Sequence, residues 1–202
     1  MVIELVVATR NRHKTHEIQQ ILGPGFKVGD LAAHPDVSEI SESGTSFEEN
    51  AKRKALAASR QLPALVIADD SGLEVDALGG APGIYSARYA GSNATERDKI
   101  DKLLRELERV RAIDDRRRAR FRCVVALARN MTLLGTFEGI VEGTIANEAR
   151  GDSGFGYDPI FIPEGLEQTF GELPRELKNT ISHRAQAIRT LADRLRGLEF
   201  GG

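Results

Sequence analysis

Leu65-Val66-Ile67-Ala68-Asp69-Asp70-Ser71-Gly72-Leu73-Glu74-Val75-Asp76 carries an apolar run straight into four carboxylates within eight residues. Leu65 to Ala68 reads as a buried strand. Two adjacent aspartates at the end of such a strand are costly unless a cation or a hydrogen-bond donor meets them. That arrangement presents carboxylates to a divalent metal and a phosphate-bearing substrate, since Mg²⁺ takes one or two protein carboxylates and completes its shell with phosphate oxygens and water. A strand ending in a solvated acidic turn is the competing explanation, and the residues alone leave both open. If the strand continues, Asp69 and Asp70 point to opposite sides, so only one can fully face a substrate. Glu74 and Asp76 alternate with Leu73 and Val75 and read as an exposed strand face.

Working outward, Val2 to Ala8 is a second buried strand, and Lys14 to Leu22 a helix stopped by Gly23-Pro24-Gly25. A helix follows Thr45, where Ser46 to Glu49 has capping-box spacing and Phe47, Ala51, Ala55 and Ala58 share a face. Thr95 with Asp98 opens a third helix striped by Ile100, Leu103, Leu104, Leu107 and Val110. Ala119 to Ala128 and Met131 to Val141 predict two long strands joined at Arg129-Asn130. Ile188, Leu191, Ala192 and Leu195 stripe a last helix. Strand–helix alternation early and adjacent strands in the middle predict an α/β fold with a mixed sheet.

The chain has 202 residues, 41% of them apolar, and a formal net charge of -2. That length fits a single domain over 1–202. The near-neutral charge points to neither a nucleic-acid nor a membrane surface. Cys123 is the single cysteine, so no internal disulfide is available and a reducing compartment is expected. The N-terminus lacks a basic, then apolar leader, and no run reaches the roughly 18 apolar residues of a membrane span. A cytoplasmic protein is the expectation. The basic run Arg116-Arg117-Arg118-Ala119-Arg120-Phe121-Arg122 suggests nucleic acid, but strand alternation places Arg118, Arg120 and Arg122 on one solvated face.

Thr9-Arg10-Asn11-Arg12-His13-Lys14 lies where the first strand gives way to a helix, where backbone N–H groups and the helix dipole favour an anion. A helix cap with exposed basic neighbours explains it equally. Glu42 lies in a polar loop ahead of the second helix. Phe155-Gly156-Tyr157-Asp158-Pro159 follows the flexible Gly151-Asp152-Ser153-Gly154; an aromatic there can stack on a base and Asp158 can accept from one. A packed turn is the alternative. Lys178 and Ser182-His183-Arg184 add cations and donors near the last helix.

Four segments, in order, resemble the inosine triphosphate pyrophosphatase family, which hydrolyses non-standard purine nucleoside triphosphates. They are Thr9 to Lys14; Asp69-Asp70-Ser71-Gly72-Leu73 with Gly79-Gly80-Ala81-Pro82-Gly83-Ile84-Tyr85-Ser86-Ala87-Arg88-Tyr89; Phe155 to Pro159; and Lys178 with Ser182-His183-Arg184. The resemblance runs from about residue 5 to residue 196. It implies an elongated, two-lobed domain with a mixed twisted β-sheet flanked by helices and the active site in the cleft between lobes. It further implies a Mg²⁺-dependent enzyme, usually a homodimer, acting on dITP, ITP and XTP.

By the same resemblance Asp70 is the catalytic proton acceptor and, with Glu42, a metal ligand, while Asp69 supports it. Thr9, Arg10, Asn11, Arg12, His13 and Lys14 meet the triphosphate, Arg10, Arg12 and His13 through backbone. Ser71, Phe155, Gly156, Tyr157, Asp158, Lys178, His183 and Arg184 meet the nucleotide, with His183 and Arg184 donating to a 6-keto oxygen. A Maf-type nucleotide pyrophosphatase and a non-enzymatic nucleotide-binding regulator are the alternative functions.

Overall fold

The computed structural model describes residues 2–38 and 40–199, with side chains up to residue 197. In chain order the elements are β1 (Ile3–Val7), α1 (Arg12–Leu22), β2 (Phe26–Asp30), α2 (Phe47–Gln61), β3 (Leu65–Val75) and α3 (Glu96–Arg109). They continue with β4 (Arg118–Arg129), β5 (Thr132–Ile145), β6 (Phe161–Pro163), α4 (Arg175–Ile181) and α5 (His183–Glu199). The six strands form one sheet in the order β2-β1-β3-β4-β5-β6. β1 runs parallel to β2 and β3, while β5 and β6 pair antiparallel, so the sheet is mixed as expected.

By contacts the chain divides into two compact units, Met1–Asp70 with Cys123–Gly139 and His183–Gly202, and Ser71–Arg122 with Ile140–Ser182. In the first, Leu5 and Val7 of β1, Ile67 of β3 and Cys123, Val125 and Leu127 of β4 meet Ile18 and Leu22 of α1 and Ile188 and Leu191 of α5. The period of two on the strands and of three to four on the helices brings these side chains onto common faces. Each fully buried Leu or Ile there contributes about 1.5–3 kcal/mol. In the second unit the α3 stripe Ile100, Leu103 and Leu107 joins Leu73, Val75, Phe121, Phe161 and Phe170. Phe121 meets Phe161 edge-on, centroids 4.7 Å apart.

Several local readings differ from expectation. β3 does not stop at Ala68 but continues through both aspartates to Val75. α1 begins two residues before Lys14, at Arg12, because Asn11 caps it. At α2, Ser46 Oγ accepts from Glu49 N–H, but the Glu49 carboxylate returns to Thr45 N–H and Oγ1 instead of to Ser46. The box at Thr95 and Asp98 is reciprocal, as read. The β4–β5 turn is Asn130-Met131, one residue later than expected; both residues have positive φ, as a two-residue hairpin turn of type I′ requires. β2, β6 and α4 were not anticipated. Among the described residues no helix is long and apolar enough to cross a membrane.

Candidate active site

Continuation of β3 through Asp69 and Asp70 sends their side chains to opposite faces, and each finds its own cations within the first unit. Asp69, 3% exposed, is met by Lys14 Nζ at 3.0 Å and by Arg184 Nη2 at 3.0 Å. Arg184 Nη1 reaches Glu17 at 2.7 Å. The result is an alternation of charge, half-buried Lys14 followed by buried Asp69, Arg184 and Glu17, that ties α1, β3 and α5 together. Burial alone pushes the Asp69 carboxyl up, but Lys14, Arg184 and Lys54 outweigh it and hold it well below the usual carboxylate range. Burial likewise opposes the Arg184 charge, and Glu17 and Asp69 overcome it.

Asp70, 7% exposed, faces α2. Lys54 Nζ lies 3.0 Å from Asp70 Oδ1 and 2.9 Å from Glu42 Oε1, and donates to the Asp69 carbonyl at 2.8 Å. Asn50 Nδ2 donates to Asp70 Oδ2 at 3.1 Å. Burial and the neighbouring Glu42 charge raise the Asp70 pKa above its ordinary value against the pull of Lys54. Burial lowers that of Lys54, but Asp70, Asp69 and Glu42 more than restore it. A carboxylate so raised is a stronger proton acceptor than a solvated one.

The loop that presents Glu42 is fastened to the start of α2 by three side chains. Arg53 donates to Ser43 Oγ at 2.7 Å, Gly44 N–H donates to Asn50 Oδ1 at 2.8 Å, and Thr45 N–H donates to Glu49 at 2.9 Å. Among the described residues no group of three or more His, Cys, Asp or Glu side chains forms a metal cage.

The segment expected at the triphosphate has local work. Asn11 Oδ1 accepts from His13 N–H at 2.9 Å and Lys14 N–H at 3.4 Å, and Thr9 Oγ1 accepts from Asn11 N–H at 3.1 Å. Asn11 thus serves as the helix cap, the competing explanation left open above, and those two N–H groups are already taken. Arg10 donates to the carbonyls of Leu31 and Val37 and clamps the segment after β2. Arg12 and His13 are exposed.

In the second unit, Asp158 Oδ2 accepts from Phe155 N–H at 2.7 Å and from Lys178 Nζ at 2.6 Å, and Lys178 stands 5.1 Å from the Phe155 ring centroid. Gly154 has φ 77°, and a Cβ there would fall on the Asp158 carboxylate, so the turn requires glycine. Phe155 and Gly156 are half-buried, as is Ser71. Tyr157 is buried, its hydroxyl donating to the Ser86 carbonyl at 3.0 Å, so its ring packs the core instead of offering a stacking face.

One expectation at the last helix changes. Arg184 is 1% exposed and committed to Glu17 and Asp69, so its guanidinium supports the carboxylate strand instead of meeting a base edge. His183, 4% exposed, has its carbonyl packed where a Cβ at Gly139 would sit. The sequence reading missed Lys54, Asn50 and Glu17. The signal was there for the first two: positions 47, 50, 51, 54, 55 and 58 lie on one stripe of α2, and polar residues inside an apolar stripe must be buried with partners.

An α/β protein whose central strand carries adjacent, cation-bound carboxylates has the groups to handle a polyphosphate. The chain belongs to the Ham1 family, whose model matches residues 5–194, which bears out the resemblance read from the four motifs. It is 47% identical over 188 residues to a dITP/XTP pyrophosphatase of Desulforamulus reducens, covering 93% of this chain and 92% of that one. It is 47% identical over 190 residues to a dITP/XTP pyrophosphatase of Bacillus subtilis, covering 94% and 95%. The structure of a HAM1 protein from Coxiella burnetii is similar, with a TM-score of 0.87 and 42% identity over 97% of this chain and 100% of that one.

Proposed function

We propose that this protein hydrolyses noncanonical purine nucleoside triphosphates, dITP, ITP and XTP, to the nucleoside monophosphate and pyrophosphate. The observation that carries the reading is the Glu42–Lys54–Asp70 cluster on β3. Its support is membership of the Ham1 family and near-full-length similarity to chains named dITP/XTP pyrophosphatase.

Glu42 Oε1 and Asp70 Oδ1 already share one cation, the Lys54 ammonium, so hard oxygen donors of the number Mg²⁺ takes from a protein are grouped in one place. Those two residues would hold the ion, which would supply charge neutralisation on the phosphates when bound. Asp70 takes a proton from water as its oxygen attacks the α-phosphorus; the bond from that phosphorus to the α–β bridging oxygen breaks and pyrophosphate leaves. Lys54 keeps Asp70 in place and offsets charge developing on the phosphates. Lys14, with Asp69 as its partner, adds a cation beside the same strand.

On the family resemblance, base choice rests with Phe155, Asp158 and Lys178. The half-buried Phe155 ring would offer a stacking face, and beside it Lys178 and Asp158, both buried and paired at 2.6 Å, would give up part of that pairing to serve as donor and acceptor. A site built on such hydrogen bonds can reject a mispaired base by about 10⁴-fold. A cytoplasmic homodimer completes the proposal, on the family resemblance.

Pyrophosphate release measured across dITP, XTP, dGTP, dATP and dTTP, with Mg²⁺ and with chelator, tests the reading. Preferential, Mg²⁺-dependent release from dITP and XTP is expected. Preference for dTTP, or no release from any of them, would refute it.

A further inference from the structure

We propose that Asn50 is a positioning residue whose amide fixes, in one register, the Asp70 carboxylate and the loop that presents Glu42. The inference deepens the pyrophosphatase reading and rests on it. Asn50 is fully buried, so it touches no substrate and acts through its partners. Its Oδ1 accepts from Gly44 N–H at 2.8 Å and its Nδ2 donates to Asp70 Oδ2 at 3.1 Å. The orientation of this amide is decided by its neighbours. Gly44 N–H can only donate and an ionised Asp70 can only accept, so the reversed amide would set donor against donor and oxygen against carboxylate.

Lys54, one turn further along α2, holds the other Asp70 oxygen, Oδ1. Both oxygens of Asp70 are therefore tied, one by a charge and one by a neutral donor, and the plane of the carboxylate is set. Gly44 approaches so closely that a Cβ there would lie 2.7 Å from Asn50 Oδ1, so the glycine is part of the same device. An attacking water must be met by a carboxylate held to within fractions of an ångström, and a misplacement of about 1 Å can cost on the order of 10²-fold. Asn50 supplies that orientation.

Two variants separate orientation from bulk folding. Asn50→Asp keeps the acceptor for Gly44 and replaces the donor to Asp70 with an oxygen. Its kcat on Mg²⁺-saturated dITP should fall by about tenfold or more with KM within about twofold of the parent, since removing a positioning contact made in the transition state lowers kcat alone. The double variant Asn50→Asp/Asp70→Asn exchanges donor and acceptor across the same hydrogen bond. It should remain inactive yet regain the melting temperature lost by Asn50→Asp. Folded Asn50→Asp with kcat within about twofold of the parent, or with raised KM at unchanged kcat, would overturn the proposal. If Asn50→Asp does not fold, a double variant no more stable than it would do the same. A parent that releases no pyrophosphate from dITP defeats the functional reading instead, and the melting comparison still decides the role of Asn50.

Discussion

Lys54 Nζ stands 3.0 Å from Asp70 Oδ1 and 2.9 Å from Glu42 Oε1, so a single buried ammonium holds together the two carboxylates proposed as metal ligands. Lys54→Ala leaves them facing each other without a cation. Breaking a buried pair by removing one partner costs about 3–5 kcal/mol, so the urea midpoint should drop sharply. Added Mg²⁺ should raise the melting temperature of the variant more than that of the parent, because ligand binding to the folded state stabilises it. An unchanged midpoint would show that the ammonium is dispensable.

Arg184 lies between Glu17 and Asp69, and its loss should act through them. Arg184→Ala is expected to destabilise by about 3–5 kcal/mol and to lower turnover of dITP and dATP by the same factor. Specificity constants for the two substrates check this. A shrinking ratio between them would place the guanidinium at the base, where the sequence reading had put it.

Lys178→Ala removes the cation 2.6 Å from Asp158 and beside Phe155. Here the ratio should change: the specificity constant for dITP should fall by about tenfold more than that for dATP, the scale of one lost hydrogen bond to a charged group. Equal losses for both substrates would assign Lys178 to folding alone.

Burial pushes the Cys123 thiol up to about 12, with the nearby Asp69 charge adding to the effect. At pH 8 the native protein should resist iodoacetamide, and labelling in urea should follow the unfolding curve. The raised value also fixes the sign of the pH dependence. The thiol's contribution to stability is complete below the unfolded pKa of about 8.5 and is lost as pH rises from there toward the folded value. Rapid labelling of folded protein at pH 8 would contradict this.

Much of the fold was legible because its signals are local. The stripes of α2, α3 and α5 and the alternation of β4 follow from spacing alone, and Thr95 with Asp98 caps α3 as read. β2, five residues with Gly29 next to its end, and the three-residue β6 are too short to carry a period, and α4 has no side-chain cap to announce it. At the site, the carboxylates could be found because charge directly after an apolar run is conspicuous. Their partners could not, because Arg184 meets Asp69 across 115 residues of chain and no local pattern records the pairing. Asn11 was ambiguous for a physical reason: the same short polar side chain that meets an anion at a helix start also caps the helix.

The proposed hydrolysis depends on Asp70 as the group that accepts the proton from water. The most direct measurement is pyrophosphate release from dITP, with saturating Mg²⁺, by parent and Asp70→Asn enzymes of equal folded fraction. The amide keeps the shape and the contact with Lys54 but removes the charge. Turnover should fall by about 10²–10⁴-fold, the usual contribution of a general base. Turnover within about threefold of the parent, far less than a general base contributes, would remove Asp70 from the chemistry and contradict the account.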